Sequence, residues 1–99
     1  MISDVREKNN LLEVFDANSK RISYMSAGSK ELVGITSNFF VIVHNSLIEV
    51  YDEHCKRISY MSLGSKVVRG AAGNSFTVKH INLIETYDQH CKRISYKTA

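Results

Sequence analysis

The sequence predicts an all-β domain made of three tandem units of about 36 residues, and three observations predict it. Asp16, Asp52 and Asp88 stand 36 residues apart, each inside a copy of one phrase: "FDANSKRISYMS", "YDEHCKRISYMS" and "YDQHCKRISYKT". The chain has no proline, is rich in β-branched and aromatic residues, and has no long stretch with apolar residues at helical spacing. Turn-forming residues divide it into short runs of strand length. The units fall at about 1–28, 29–64 and 65–99, and all lie in a single domain, 1–99, which is long enough for one core.

Aligned on the aspartates, each unit has up to four short antiparallel strands. "KELVGIT" and "KVVRGAA" form the first piece, with Gly34 and Gly70 in register. "FFVIVHN" and "SFTVKHI" form the second, entered through Ser37-Asn38 and Gly73-Asn74, a hairpin signal. Along it Phe40, Ile42 and His44 share one face, as do Phe76, Val78 and His80 one unit later, so this piece is expected closest to the core. The third piece is "LLEVFD", "LIEVYD" or "LIETYD". A turn opened by the repeated Asp follows, the carboxylate accepting amides two or three residues on. "KRISYMS", twice, and "KRISYKT" form the fourth piece, in which Ile22 and Tyr24 are expected to share an inward face. "ISDVREKNN" stands where the first unit should have a second piece, so that unit lacks a first piece. Any helix is confined to these first ten or so polar residues.

The bulk numbers exclude more than they select. A hydrophobic share of 43% and a charged share of 23% are ordinary for a globular chain, and no apolar run has the length of a membrane span. The start "MISDVREKNN" does not read as a signal peptide, which makes the cytoplasm the default compartment. Cys55 and Cys91 occupy equivalent turns, one unit apart and too far for a disulfide, so free thiols are expected. The net charge of +3 is mild and comes mostly from a Lys-Arg pair in each unit.

A compact antiparallel unit with Gly-Asn-x-Phe-x-Val before its second strand, then Leu-Ile-Glu-Val-Tyr-Asp, a polar turn and Lys-Arg-Ile, resembles a blade of the β-propellers. The resemblance spans about residues 11–96 and lies at the level of fold; the Trp-Asp and Gly-His signatures of WD repeats are absent, as is any Trp. It implies a propeller-like architecture, which three units cannot close alone. Two chains sharing a six-unit ring would complete it, making a homo-oligomer, most simply a dimer, the expected state. The alternative is a monomer closed as a pseudo-threefold barrel of the β-trefoil kind.

Candidate chemistry is sparse. His54-Cys55 and His90-Cys91 are adjacent pairs, whereas structural zinc ligands are spaced by two to four residues, so no metal is expected there. His44 and His80 would line a shared cavity if the units surrounded an axis, with Lys8 at the matching place of the first unit. Lys20-Arg21, Lys56-Arg57 and Lys92-Arg93 form a repeated basic decoration suited to an anionic ligand. Nucleic acid is argued against, because single-strand binders interleave exposed aromatics with their basic residues. There is no phosphate loop, nucleophile elbow or persuasive carboxylate pair, and neither catalysis nor a cofactor is expected. The sequence therefore predicts a non-catalytic binding or assembly module for a protein or small-molecule ligand. A carbohydrate-binding protein and a small enzyme with its site at an inter-chain cavity are the alternatives.

Overall fold

The computed structural model describes residues 1–98, which form eleven strands and no helix, hence none long and apolar enough to cross a membrane. The first sheet holds β1 (Asp4–Lys8), β2 (Leu11–Phe15) and β3 (Arg21–Ser26). The second holds β4 (Glu31–Ile35), β5 (Phe40–His44), β6 (Leu47–Tyr51) and β7 (Arg57–Ser62). The third holds β8 (Val67–Ala72), β9 (Ser75–His80), β10 (Leu83–Asp88) and β11 (Arg93–Thr98). Each is an antiparallel meander in chain order, and every ladder lies within one unit. The barrel alternative is thereby corrected: short hairpins pair each strand with its sequence neighbours, and no ladder crosses between sheets to close a barrel among the described residues. The polar start is a strand rather than a helix, because Val5 pairs with Val14 and is buried while its neighbours face outward.

Two-residue turns join the second and third strands of each unit. Asn9 and Asn10 (φ +51° and +64°), and Asn45 and Ser46 (φ +51° and +64°), supply the left-handed residues such hairpins need. In the third unit the place of Asn9 and Asn45 is taken by Ile81, at φ +57°. A β-branched residue is strained there, since its Cβ crowds the following carbonyl.

The sheets stack face to face, giving an elongated body of 40 × 25 × 19 Å. Period-2 alternation divides the middle sheet between two cores. Phe40, Ile42 and Tyr51 face the first sheet and pack with Val5, Leu12 and Val14. Phe39, Val41, Ile48 and Val50 face the third and pack with Phe76, Val78 and Tyr87. In both cores a Phe stacks on the Tyr opposite it: Phe40 on Tyr51 and Phe76 on Tyr87, each at 5.6 Å between ring centres. Fully burying one such side chain is worth about 1.5–3 kcal/mol, so the middle sheet, apolar on both faces, is where most of the stability is generated.

The expectation that the second strands lie closest to the core is corrected: the third strands β2, β6 and β10 bury as many residues as β1, β5 and β9 or more, and the second and third sheets approach one another most closely at their first strands, β4 and β8. Gly34 permits that approach: a Cβ placed on it would lie 2.9 Å from the Ala71 Cβ. Farther out, Ser23 Oγ donates to the Glu53 carbonyl at 2.5 Å and Ser59 Oγ to the Gln89 carbonyl at 2.6 Å, pinning each turn to the preceding unit.

The ends of the stack differ from its middle. On the outward face of the first sheet, Asp4, Arg6 and Lys8 stand where the middle sheet has Phe40, Ile42 and His44. Asp4 Oδ1 accepts the Val5 amide at 2.9 Å, on the edge of β1 where a complete unit would have its first strand. Asp4 Oδ2 holds Arg6 at 2.7 Å, and the Arg6 guanidinium lies over Phe15. At the other end, Arg69, Thr77, Lys79, Thr86 and Lys97 replace Val33, Val41, Val43, Val50 and Met61.

The strain at Ile81 yields a direct test. Ile81→Asn restores the residue that the first two hairpins use, and should raise unfolding stability by about 1 kcal/mol in a denaturant titration. An unchanged or lower stability would contradict a strained left-handed turn at this position.

Candidate functional site

Antiparallel register assembles a Glu–Arg pair in each unit and a fuller polar cluster around it in the second and third. Glu49 lies opposite Tyr60, and Tyr51 opposite Arg57. Glu49 Oε2 accepts from Arg57 Nη1 at 2.9 Å, Oε1 accepts from the Tyr51 hydroxyl at 3.3 Å, and His44 Nδ1 lies 3.8 Å away. Glu85 repeats this with Arg93 at 2.9 Å, Tyr87 at 3.2 Å and His80 at 3.7 Å. In the first unit Arg21 binds Glu13 at 2.8 Å, while Phe15 and Lys8 replace the tyrosine and the histidine.

Electrostatics follow from that geometry. The hydrogen bond from Arg93 holds the buried Glu85 carboxyl below its ordinary range, outweighing desolvation. Burial raises the hydroxyls of Tyr51 and Tyr87, and the adjacent glutamates raise them further. A carboxylate whose two oxygens are both engaged inside its own unit is poorly suited to abstract a proton from a substrate.

The same clusters place the predicted basic residues. Arg21, Arg57 and Arg93 are tied to their glutamates, and each guanidinium also covers a tyrosine ring: Tyr24 at 4.5 Å, Tyr60 at 4.4 Å and Tyr96 at 4.7 Å. Those rings are 56%, 56% and 61% exposed, which corrects the expectation that Tyr24 packs inward with Ile22. The reason is a bulge: Val14 pairs with Ser23 and Phe15 with Arg21, so Ile22 is an extra residue and the alternation resets after it. Lys20, Lys56 and Lys92 are exposed, and their backbone amides donate to the turn aspartates.

Those turns are Asp-initiated in all three copies as predicted, except that the second amide bound by the carboxylate is four residues on, the amide three residues on donating to the Asp backbone carbonyl instead. Asp16, Asp52 and Asp88 each accept the amides two and four residues on at 2.9–3.0 Å. The backbone hydrogen bonds lower the carboxyl pKa of Asp16 and Asp88. Cys55 and Cys91 are free thiols, half-buried against the cores and 3.3 Å from Ser23 and Ser59 of the preceding unit. Burial raises both thiols, keeping them protonated and weakly nucleophilic. His54 and His90 are exposed, and no three His, Cys, Asp or Glu side chains gather as metal ligands among the described residues.

A further concave feature lies elsewhere, on the outward face of the third sheet. A cleft of about 430 Å³ is lined by Arg69, Thr77, Ile84, Thr86, Ser95, Tyr96 and Lys97. None of these except Tyr96 belongs to a pattern that reads as chemistry within one unit. Comparing copies does reveal the face, because Thr77, Thr86 and Lys97 interrupt positions that are aliphatic or Met in the first two units: Val5 and Val41, Val14 and Val50, Met25 and Met61.

The clusters predict a ranking. Arg57→Ala and Arg93→Ala should lower the denaturation midpoint more than Arg21→Ala, since Glu49 and Glu85 side chains are each 5% exposed against 14% for Glu13. Because the Glu85 pKa is lowered by folding, its stabilisation is full above the ordinary carboxylate range and lost as pH falls through the lowered value. Arg93→Ala removes that contribution, so the variant should be less stable than the wild type at neutral pH and lose less stability on acidification, the gap narrowing as pH falls through the carboxylate range; a set of titrations across the acid range would measure this, and a gap independent of pH would contradict the assignment. No protein-family model matches the chain, and no curated protein matches it.

Proposed function

We propose that the chain is a non-catalytic binding module, and that the outward face of the third sheet is its binding surface. The observation that supports this reading is the substitution pattern of that face: hydroxyls and cations stand where the equivalent surface of the middle sheet is aliphatic core. The groups that would serve catalysis are engaged elsewhere, with the central glutamates held by Arg and Tyr and the thiols packed between units. The splayed four-strand meanders, closest at their first strands, favour a propeller-like relationship between units.

A second reading uses the same ends for a second copy, closing a six-unit ring. Ser95 stands where Ser23 and Ser59 each bind the next unit's turn, and Ala17 stands where Glu53 and Gln89 offer the accepting carbonyl. The junction would bring Arg69, Lys79 and Lys97 toward a face on which Asp4 and Glu13 are already paired with Arg6 and Arg21 and Lys8 adds a further positive charge, so no free carboxylate meets the three cations, which disfavours it.

Amide chemical-shift titration of the labelled protein distinguishes these readings, using an acidic peptide, an oligothymidylate, a neutral oligosaccharide and inorganic phosphate as probes, together with the sedimentation mass. A binding module shows saturable shifts on β8 to β11 with at least one probe while remaining monomeric. Silence toward every probe would remove the binding reading. A dimer whose thermal midpoint rises with concentration would establish the ring instead.

A further inference from the structure

The outward face of the third sheet is ordered in rows. Ile84 pairs with Lys79 on one side and Lys97 on the other, and Thr86 pairs with Thr77 on one side and Ser95 on the other. With strands spaced about 4.8 Å apart, the two lysine positions flank Ile84 at a separation of about 10 Å. Beside the hydroxyl row, Arg69 is the extra residue of a bulge, since Val68 pairs with Val78 and Gly70 with Thr77. A cation row with an aliphatic centre thus runs next to a row of three hydroxyls, with a third cation at its inner end.

The other end of the stack shows what a merely solvated end looks like here. Its charges are of mixed sign and paired within the face: Asp4 with Arg6 at 2.7 Å and Glu13 with Arg21 at 2.8 Å. On the third sheet Arg69, Lys79 and Lys97 are of one sign, and none forms an ion pair among the described residues. Keeping an end soluble needs only mixed charge; three like charges around an aliphatic centre raise the local potential and select an anionic partner.

We propose that this face docks an acidic polypeptide segment, with carboxylates over Lys79, Lys97 and Arg69 and an apolar side chain seated on Ile84. The inference rests on the binding reading and names its partner class. An aliphatic centre between cations suits a protein side chain better than a phosphodiester. Tyr96 is the one aromatic at the cleft, with one ring face taken by Arg93, whereas single-strand binders stack successive bases on a series of rings. A second copy would present to the same cations a face whose carboxylates, Asp4 and Glu13, are already engaged by Arg6 and Arg21.

Fluorescence anisotropy with a short labelled peptide of alternating glutamate and leucine tests this, beside an all-glutamate peptide and a labelled oligothymidylate. The alternating peptide should bind most tightly and weaken with salt. Lys79→Ala with Lys97→Ala should cost about tenfold in Kd, from two partly exposed ion pairs. Ile84→Ser should weaken the alternating peptide but not the all-glutamate one, and Lys20→Ala with Lys56→Ala should change nothing. Chemical-shift mapping on the unsubstituted protein should place the peptide on β9 to β11. No binding of either peptide, equal loss in the Lys20 and Lys56 control, or tighter binding of the oligothymidylate would each overturn the proposal. The last result would do so while leaving a binding module in place.

Discussion

A β-meander of about twenty to thirty residues cannot bury both of its faces by itself, and the rest of this structure depends on how that constraint is met. Neighbouring units cover one another. β5 sends Phe40 and Ile42 into one core while Val41, and Phe39 just before it, enter the other. Both cores contain residues of the middle sheet. Close packing then dictates the details: a glycine at position 34 to let the first strands approach, and serines 23 and 59 to receive the following turns.

A stack built this way must end twice, and the ends are written differently. At the first, Asp4 caps an otherwise open strand edge from its own side chain and holds Arg6 over Phe15, a charged edge of the kind that discourages further strand pairing. At the second, hydroxyl and cation rows replace aliphatic residues, and none of the three cations is ion-paired among the described residues. Both ends are polar, but only the second concentrates one sign of charge, which is why the functional reading rests there.

The strand boundaries and turn chemistry were legible because repetition supplied three copies of each local signal. The Asp turns, the Gly73-Asn74 hairpin and the first unit's missing strand all follow from alignment of the copies. Facing was less legible. The bulge that exposes Tyr24, Tyr60 and Tyr96 arises from a register shift that no single-strand alternation contains. The polar clusters were also hidden, because Glu49 and Arg57 are eight residues apart in sequence and meet only across a ladder. Arg57 and His44 stand out in the sequence as candidate ligand contacts, whereas their companion Glu49 does not, because one acidic residue in a strand gives no signal until its partner is known. The end face went unread because Thr77 and Lys97 are unremarkable within their own unit; only their contrast with Val41 and Met61 marks them.

The central claim is that stability is generated in a middle sheet covered on both sides. Native-state hydrogen exchange measures it residue by residue, since slow amides report the last structure to open. The greatest protection is expected on β5 and β6, less on β9 and β10, and the least on β1 and β11, whose outer edges are unpaired. Protection as high on β1 and β11 as on β5 would contradict it, by showing that the terminal units are stabilised by something other than their cover of the middle sheet.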